Sequence, residues 1–410
     1  MTRGEGLGAV LIVAGALASA PGLLLVGAMT VLTAWLARLW SRRGLTGVTY
    51  ERRLRHDRAV WGDVVPLDLV VTNGKLLPLA WLKAEDFLTE GTVISERAVV
   101  RSDRPGYALL ENTWTFASYE RVVRHLHLVA DHRGLYRLGP VRLSVADLFA
   151  RDAATEERPI HDTFIVRPRT VPVRLASPTV SPMGTRRARQ GLQEDPALFA
   201  GVRPFQPGDS RRRLHWRATA RVGRPVSKKF EPSTIRETLI ALDVQTTDAA
   251  YWLMVYEEEL LESLMVAAAS IARHLIGEGT ACGLAAAAWT GSLQRTVFLP
   301  PAGGEGQLNA IADVLGRLSA FASRPFSTLL GSLPERLSPG TSILVLSGRD
   351  PTQHVAIERR LARNGSPVTH VALGDRRDAW ASIARRYGVE ARTATLNGGW
   401  RTSAALDLAG

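Results

Sequence analysis

The chain begins with an unbroken apolar run, continues with alternating hydrophobic and polar positions, and ends with compact apolar strands separated by helical periods. Between Glu5 and Arg38 there is no charged residue, and LGAVLIVAGALASAPGLLLVGAMTVLTAWL is apolar nearly throughout, as membrane sequence is. One straight helix of that length would span roughly 45 Å, against a hydrocarbon core of about 30 Å. Pro21-Gly22 sits near the middle and, as a turn dipeptide, favours a hairpin of two short helices over one long kinked span. Ala18-Ser19-Ala20 has the small residues of a signal-peptide cleavage site, but Pro21 would follow the cut and a second apolar run comes after it. Arg38, Arg42, Arg43, Arg52, Arg53 and Arg55 crowd the C-terminal flank. Positive flanks stay inside, so the bulk of the protein is expected to face the cytoplasm under either arrangement.

From Val48 to about Val145 the period is two. DVVPLDLVVTN ends in the turn pair Asn73-Gly74, and PLAWLKAEDF, GYALLENTWTF, RVVRHLHLVAD and LGPVRLSVADLF follow as further short runs. Short strands between turn signals predict an antiparallel β-sandwich over 48–150. His125 and His127 share a strand face, as two metal ligands would. An outward polar face opposite Leu126 and Leu128 explains them equally well. Residues 151–193, interrupted by Pro168, Pro172, Pro178 and Pro182 and carrying Arg186, Arg187 and Arg189, read as an extended connector.

From about Thr238 strands alternate with helices: TLIALDV, the helix EEELLESLMVAAASIARHLIGEG, ACGLAAAAW and RTVFLP, the helix QLNAIADVLGRLSAF, SILVLSG, the helix HVAIERRLARNG, VTHVALG and the helix AWASIARRYG. Such alternation predicts a parallel sheet covered by helices, with ligands gathering at the carboxyl ends of its strands. Those ends carry Asp243, Gln245 and Thr247 on one loop, and Ser347 and Asp350 on another.

Charge adds a partner class. The net charge of +12 points to anionic surroundings, and juxtamembrane Lys and Arg, each drawn to anionic lipid by about 1 kcal/mol, account for much of it. With Cys282 the single cysteine, no intrachain disulfide forms, which suits a reducing compartment. Its Ala-rich apolar strand argues for burial rather than nucleophilic use. The chain lacks a Gly-x-x-x-x-Gly-Lys loop, a Gly-x-Ser-x-Gly elbow and a His-Glu-x-x-His helix, so the motif-bearing nucleotide, serine-hydrolase and zinc-protease chemistries find no support.

The stretch PFQPGDSRRRLHWRATARVGRP is the densest in signals. Pro207-Gly208 marks a turn, and Asp209 or Ser210 is placed to cap a helix from about Arg211, with Leu214 and Ala218 on one face. Between Arg203 and Lys229 there are nine Arg or Lys and one acid, Asp209. Three uses compete for this charge. Arg213, Arg217 and Arg221 pair internally with Glu231, Glu237 or Asp243; or they face an acidic protein or phospholipid; or, with Trp216, they hold nucleic acid. His215 beside Asp209 has no partnered nucleophile, so packing or hydrogen bonding within the helix is its expected role.

A strand ending in LDVQTT resembles the first strand of a von Willebrand factor A-like domain, whose loop reads Asp-x-Ser-x-Ser and binds magnesium. GVRPFQPGDSRRRLHWRATARVGRPVSKKFE closely resembles the signature of the bacterial domain of unknown function 58 family, and HRGLYRLGPVRLSVADLFA matches that family's Arg-Gly-x-Tyr and Gly-Pro elements. The resemblance covers nearly the whole chain. It implies a membrane-anchored protein associated with MoxR-type AAA+ ATPases in the assembly or maturation of other proteins. It makes Gly208, Asp209, Arg212, Arg213, His215, Trp216, Arg217 and Arg221 a partner-binding or structural signature. It also offers Asp243, Gln245, Thr247 and Asp350 as degenerate ligands for a Mg²⁺ ion, which prefers oxygen donors in octahedral order. Gln245 stands where serine is expected, and Glu305 where threonine is.

The expected fold class is therefore α/β plus all-β: an N-terminal transmembrane segment (1–43), a β-sandwich (48–150), the connector (151–193), the basic signature block (194–235) and a von Willebrand A-like, Rossmann-like parallel-sheet domain (236–410). The expected function is that of a membrane-anchored cytoplasmic adaptor without enzymatic activity, working with a MoxR-type AAA+ ATPase. The alternatives are a metal-dependent enzyme using Asp243 and Asp350, and a nucleic-acid-binding protein acting through the basic block.

Overall fold

The apolar run folds as two helices, α1 (Arg3–Leu17) and α2 (Pro21–Arg43). Pro21 opens the second, where a helix has no use for the missing N–H. The computed structural model describes residues 3–146, 153–175, 194–206, 214–232, 236–290 and 296–410. The two helices meet through glycine: a Cβ on Gly15 would stand 2.8 Å from the Leu24 backbone nitrogen, and one on Gly27 2.7 Å from Ile12 Cγ1. Small residues at such a seam let helix backbones approach closely. Leu7, Val10, Val13, Leu17, Leu25 and Met29 point outward and are exposed. Among the described residues, the apolar stretches of the pair are Gly6–Leu17 and Pro21–Trp35.

Contacts divide the chain into two units, residues 1–167 and 168–410. In the first, eleven strands follow the helices: β1 (Val48–Leu54), β2 (Arg58–Val60), β3 (Val64–Asn73), β4 (Leu79–Thr89), β5 (Val93–Ile94), β6 (Val100–Arg101), β7 (Tyr107–Phe116), β8 (Arg121–Val129), β9 (Gly134–Ala146), β10 (Ala153–Arg158) and β11 (Asp162–Arg167). They form one sheet of order β1-β3-β8-β5 and another of order β2-β11-β9-β4-β7-β6, with β10 on β9. The alternation seen in the sequence becomes alternating burial, as in β7, and Leu67, Leu69, Leu126, Leu128, Leu82 and Leu110 share one core. This unit runs past residue 150: β10 and β11 pair with β9, so the first part of the expected connector is sheet. Proline-rich surroundings hid the short strand DTFIVR. Within the core, Arg52 Nη1 donates to Asp86 Oδ1 at 2.7 Å, and its Nη2 reaches the carbonyls of Leu138 and Ile160. Gly139 makes room for this: a Cβ there would lie 1.9 Å from the Ile160 oxygen and 2.7 Å from Arg52 Nη2. The Gly-Pro element thus serves a buried arginine.

His125 and His127 lie on the outer face of β8. Their Nδ1 atoms meet Asp68 at 2.7 Å and Glu96 at 2.5 Å, while Leu126 and Leu128 are buried. Cross-strand pairing accounts for both histidines.

The second unit begins with β12 (Val173–Leu175). A two-stranded ribbon of β13 (Glu194–Pro204) and β14 (Val226–Pro232) carries α3 (Trp216–Val222) between its strands. Then follow β15 (Glu237–Leu242), α4 (Glu258–Gly277), β16 (Ala281–Ala286), β17 (Val297–Ala302), α5 (Gly304–Arg317), α6 (Phe326–Ser332), β18 (Ser342–Ser347), α7 (Val355–Arg363), β19 (Val368–Ala372), α8 (Arg377–Arg386), β20 (Glu390–Leu396), α9 (Gly399–Thr402) and β21 (Leu406–Ala409). The sheet order is β12-β21-β20-β19-β18-β15-β16-β17. β16, β15, β18, β19 and β20 are parallel, while β17 runs antiparallel to β16 and β21 antiparallel to β20, with β12 parallel to β21. The sheet is therefore mixed rather than wholly parallel. α4 is long and apolar enough to cross a bilayer, yet eleven of its residues are buried, Leu261 to Leu275, as in a core helix.

Candidate functional site

The chain leaves β15 toward β16 on one side and later returns to β18 on the other. That reversal makes a crevice at the carboxyl ends of β15 and β18, the place where open α/β sheets bind ligands. Asp243 follows β15 directly, and Ser347 ends β18. Both are buried.

The Asp243 carboxylate has an internal countercharge. Arg349 Nε donates to its Oδ2 at 2.7 Å, Ser347 Oγ donates to the same oxygen at 3.2 Å, and the Gln245 backbone N–H donates to Oδ1 at 3.2 Å. Arg349 Nη1 also donates to Gln353 Oε1 at 2.6 Å. The other expected metal ligands are engaged elsewhere. Asp350 accepts from the Thr352 N–H at 2.9 Å and caps its own turn, Thr247 Oγ1 donates to the Val255 carbonyl at 3.3 Å, and the Gln245 amide donates to Ala249. Glu305 is exposed in the first turn of α5. The four residues offered as Mg²⁺ ligands thus do not present a converging oxygen shell. A guanidinium sits where Asp243 would need a metal, and a cation added beside it would meet a fixed positive charge.

A pocket of about 320 Å³ opens beside this pair, lined by Gln245, Asp248, Trp252, Phe326, Arg349 and Gln353 among others. Its rim continues as an apolar strip: Trp252, Leu253, Met254 and Val255 are all exposed.

Behind Asp243 lies a second polar cluster. His354 Nε2 is 4.0 Å from Asp243 Oδ2, and its Nδ1 meets Glu358 Oε1 at 2.6 Å. His370 Nδ1 lies 3.2 Å from each Glu358 oxygen. All three side chains have no exposed surface. Burial alone would raise the carboxyl pKa of Glu358, but His370 and His354 overcome it and hold it down at about 2. Sequence reasoning missed Arg349, His354, Glu358 and His370. His354 and Glu358 stand at the i, i+4 spacing of one helix face, and a histidine in the middle of the apolar strand VTHVALG was the remaining signal.

The basic signature lies on the ribbon. Gly208, Asp209, Arg212 and Arg213 are outside the described residues. The helix starts later than expected: His215 caps α3, its Nδ1 accepting from the Ala218 N–H at 3.1 Å, while Leu214 bridges to Ser227 instead of joining the helix face. Trp216 is 72% exposed, and Arg217, Arg221 and Arg224 are exposed around it. Of the expected internal pairing, Arg213 and the side chain of Glu231 lie outside the described residues. Asp243 is held by Arg349, Glu237 accepts from Thr341, and neither Arg217 nor Arg221 has an acidic partner among the described residues.

The profile of the family described as Protein of unknown function DUF58 matches residues 201–337, from the ribbon to the end of α6. The chain is similar to that family over this stretch. The uncharacterized protein YeaD of Bacillus subtilis is 24% identical over 231 residues, which are 55% of this chain and 52% of YeaD. The chain thus spans about half the length of that curated relative. Among solved structures, the CARDB domain of the PF1109 protein from Pyrococcus furiosus is 16% identical, covering 29% of this chain and 89% of that domain at a TM-score of 0.20. Spo0M, a sporulation control protein of Bacillus subtilis, is 13% identical, covering 29% of this chain and 49% of its own at 0.18. At such scores these likenesses carry no argument about fold or function.

Proposed function

We propose that this chain is a membrane-anchored cytoplasmic adaptor whose second unit, of von Willebrand A-like type, docks an acidic protein partner through the ribbon helix α3. The observation that carries this reading is the exposed face of Trp216, Arg217 and Arg221, which has no internal acid to neutralise it among the described residues. Trp and Arg are the residue types that dominate binding energy at protein interfaces. The exposed apolar surface of α1 and α2 supports anchoring, since soluble surfaces rarely expose so contiguous an apolar patch. A sheet with five parallel central strands and reversed strands at both edges is compatible with the A-like type. The family resemblance supplies the partner class, a MoxR-type AAA+ ATPase, and with it the source of ATP hydrolysis in assembly or maturation of other proteins. The Arg349 ion pair, which already gives Asp243 a countercharge, weighs against the enzyme reading that used Asp243 and Asp350.

The test is quantitative affinity purification of the full chain from membranes in mild detergent, comparing the natural protein with Trp216→Ser/Arg217→Glu/Arg221→Glu after both are shown to fold. Recovery of an AAA+ ATPase that the triple replacement abolishes is the expected result. Equal recovery would remove α3 as the docking face, and recovery of no protein partner by either form would overturn the adaptor reading.

A further inference from the structure

The cluster of His354, Glu358 and His370 has no part in the adaptor reading, and it has an unusual make-up for a protein interior. A carboxylate and two imidazoles, none with exposed surface, converge from two elements: the N-cap and first turn of α7, and the middle of β19. A carboxylate shut off from water requires a neutralising cation or hydrogen bonds that do the same. Arg349, on the neighbouring loop, is already committed to Asp243 at 2.7 Å. Partners for the Glu358 carboxylate must therefore come from the Nδ1 sides of the two imidazoles or from a bound ion.

Three features favour an ion. One ligand atom from each residue lies within 4.8 Å of the other two. Ligands about 2.1 Å from a tetrahedral metal stand about 3.4 Å apart; the His370–Glu358 separation is 3.2 Å, and the 2.6 Å between His354 and Glu358 opens to that value by a small turn of the carboxylate. The rings are also held in place, His354 edge-on to Phe326 at 5.1 Å between centroids and His370 within the strand ladder. Finally, both rings turn Nδ1 to the carboxylate, so one nitrogen from each faces the Glu358 oxygens.

We propose that His354 Nδ1, His370 Nδ1 and Glu358 bind a divalent transition metal of the zinc class, leaving the fourth position to water. Two imidazoles and one carboxylate suit Zn²⁺ or Co²⁺, not Mg²⁺ or Ca²⁺, which want oxygen. The site is closed to substrate, so the ion is structural: it ties α7 to β19 directly behind the Asp243–Arg349 pair. Binding requires neutral imidazoles and releases any proton they hold, so affinity falls as pH is lowered.

The full chain in detergent, stripped with a chelator, is titrated with Zn²⁺ and separately with Co²⁺. Expected are one ion bound per chain, a visible Co²⁺ spectrum of low coordination number, and a thermal midpoint about 5 °C higher with Zn²⁺ than with chelator. Glu358→Gln and His370→Gln, each checked for native circular dichroism, are expected to weaken binding by about a hundredfold. Should a replacement fail to fold, the natural protein still decides: no stoichiometric Zn²⁺ and a midpoint indifferent to chelator would overturn the site and leave a proton-sharing cluster. Binding of one ion that survives in both folded variants would place the metal elsewhere and overturn it as well.

Discussion

Arg349 Nε and Asp243 Oδ2 stand 2.7 Å apart with both side chains at most 3% exposed, so the loop after β18 is tied to the end of β15 by an ion pair shut off from water. Removing one partner of a buried pair strands the other charge, at a cost of about 3 kcal/mol or more. Asp243→Asn is therefore expected to lower the thermal midpoint of the second unit by about 10 °C. The double replacement Asp243→Leu/Arg349→Met, which leaves no charge unpaired, is expected to recover most of that loss. A calorimetric titration with Mg²⁺ is expected to give no heat that depends on Asp243. Saturable Mg²⁺ binding abolished by Asp243→Ala would mean that the guanidinium yields its place to a metal.

Glu358 gives the chelator-treated protein a specific acid sensitivity. Its folded pKa of about 2 is below the ordinary 4.5, so the folded state holds this proton more weakly than the unfolded chain. Its stabilisation is present in full above about 4.5 and is lost as pH falls from there toward about 2, with a total of about 3 kcal/mol. The stability difference between the natural protein and Glu358→Gln, followed by thermal unfolding from pH 6 downward, is expected to shrink across that window. A pH-independent difference would show that the histidines do not hold the carboxylate ionised.

Cys282 is a built-in reporter for the second unit. It lies in β16, the strand inside the β17 edge, fully buried, and burial pushes its thiol up to about 12. The thiolate is the reactive form, so a thiol reagent at pH 8 is expected to label the folded chain only as fast as the unit opens, and the unfolded chain at once. Rapid labelling of the folded protein would contradict the burial of β16.

The sequence made the periodic parts of this fold legible and concealed those where polar residues are buried. TLIALDV, SILVLSG and VTHVALG are apolar enough to be read as strands on sight, and the 3.6-residue period of α4 is unbroken. β20 is not so readable, because Arg392 and Thr393 are buried within it, and α6 is too short to establish a period although Phe326, Leu329 and Leu330 line its inner face. Nor does strand composition reveal that β17 turns back antiparallel to β16. At the site, Asp243 and Ser347 were placed correctly by the rule for strand ends. Their partner was not, because an ion pair between residues 243 and 349 has no local spacing to announce it. Attention to carboxylates favoured Asp350 over the arginine beside it.

Leu260, near the start of α4, rests against two glycines at the strand ends, and the two should respond differently to a methyl group. A Cβ on Gly348 would lie 2.9 Å from Leu260 Cδ2, and one on Gly374 3.0 Å from Leu260 Cδ1. Gly348 has an ordinary backbone, so Gly348→Ala only crowds a flexible side chain. A cost of about 1 kcal/mol is expected, and Leu260→Val in the same chain should relieve much of it, a coupling that a double-mutant cycle reads directly. Gly374 has φ +99°, a conformation that strains any residue with a Cβ. Gly374→Ala is therefore expected to cost about 1–2 kcal/mol, of which trimming Leu260 returns little. Equal rescue at both positions would mean that crowding by Leu260, rather than backbone conformation, makes glycine necessary at residue 374.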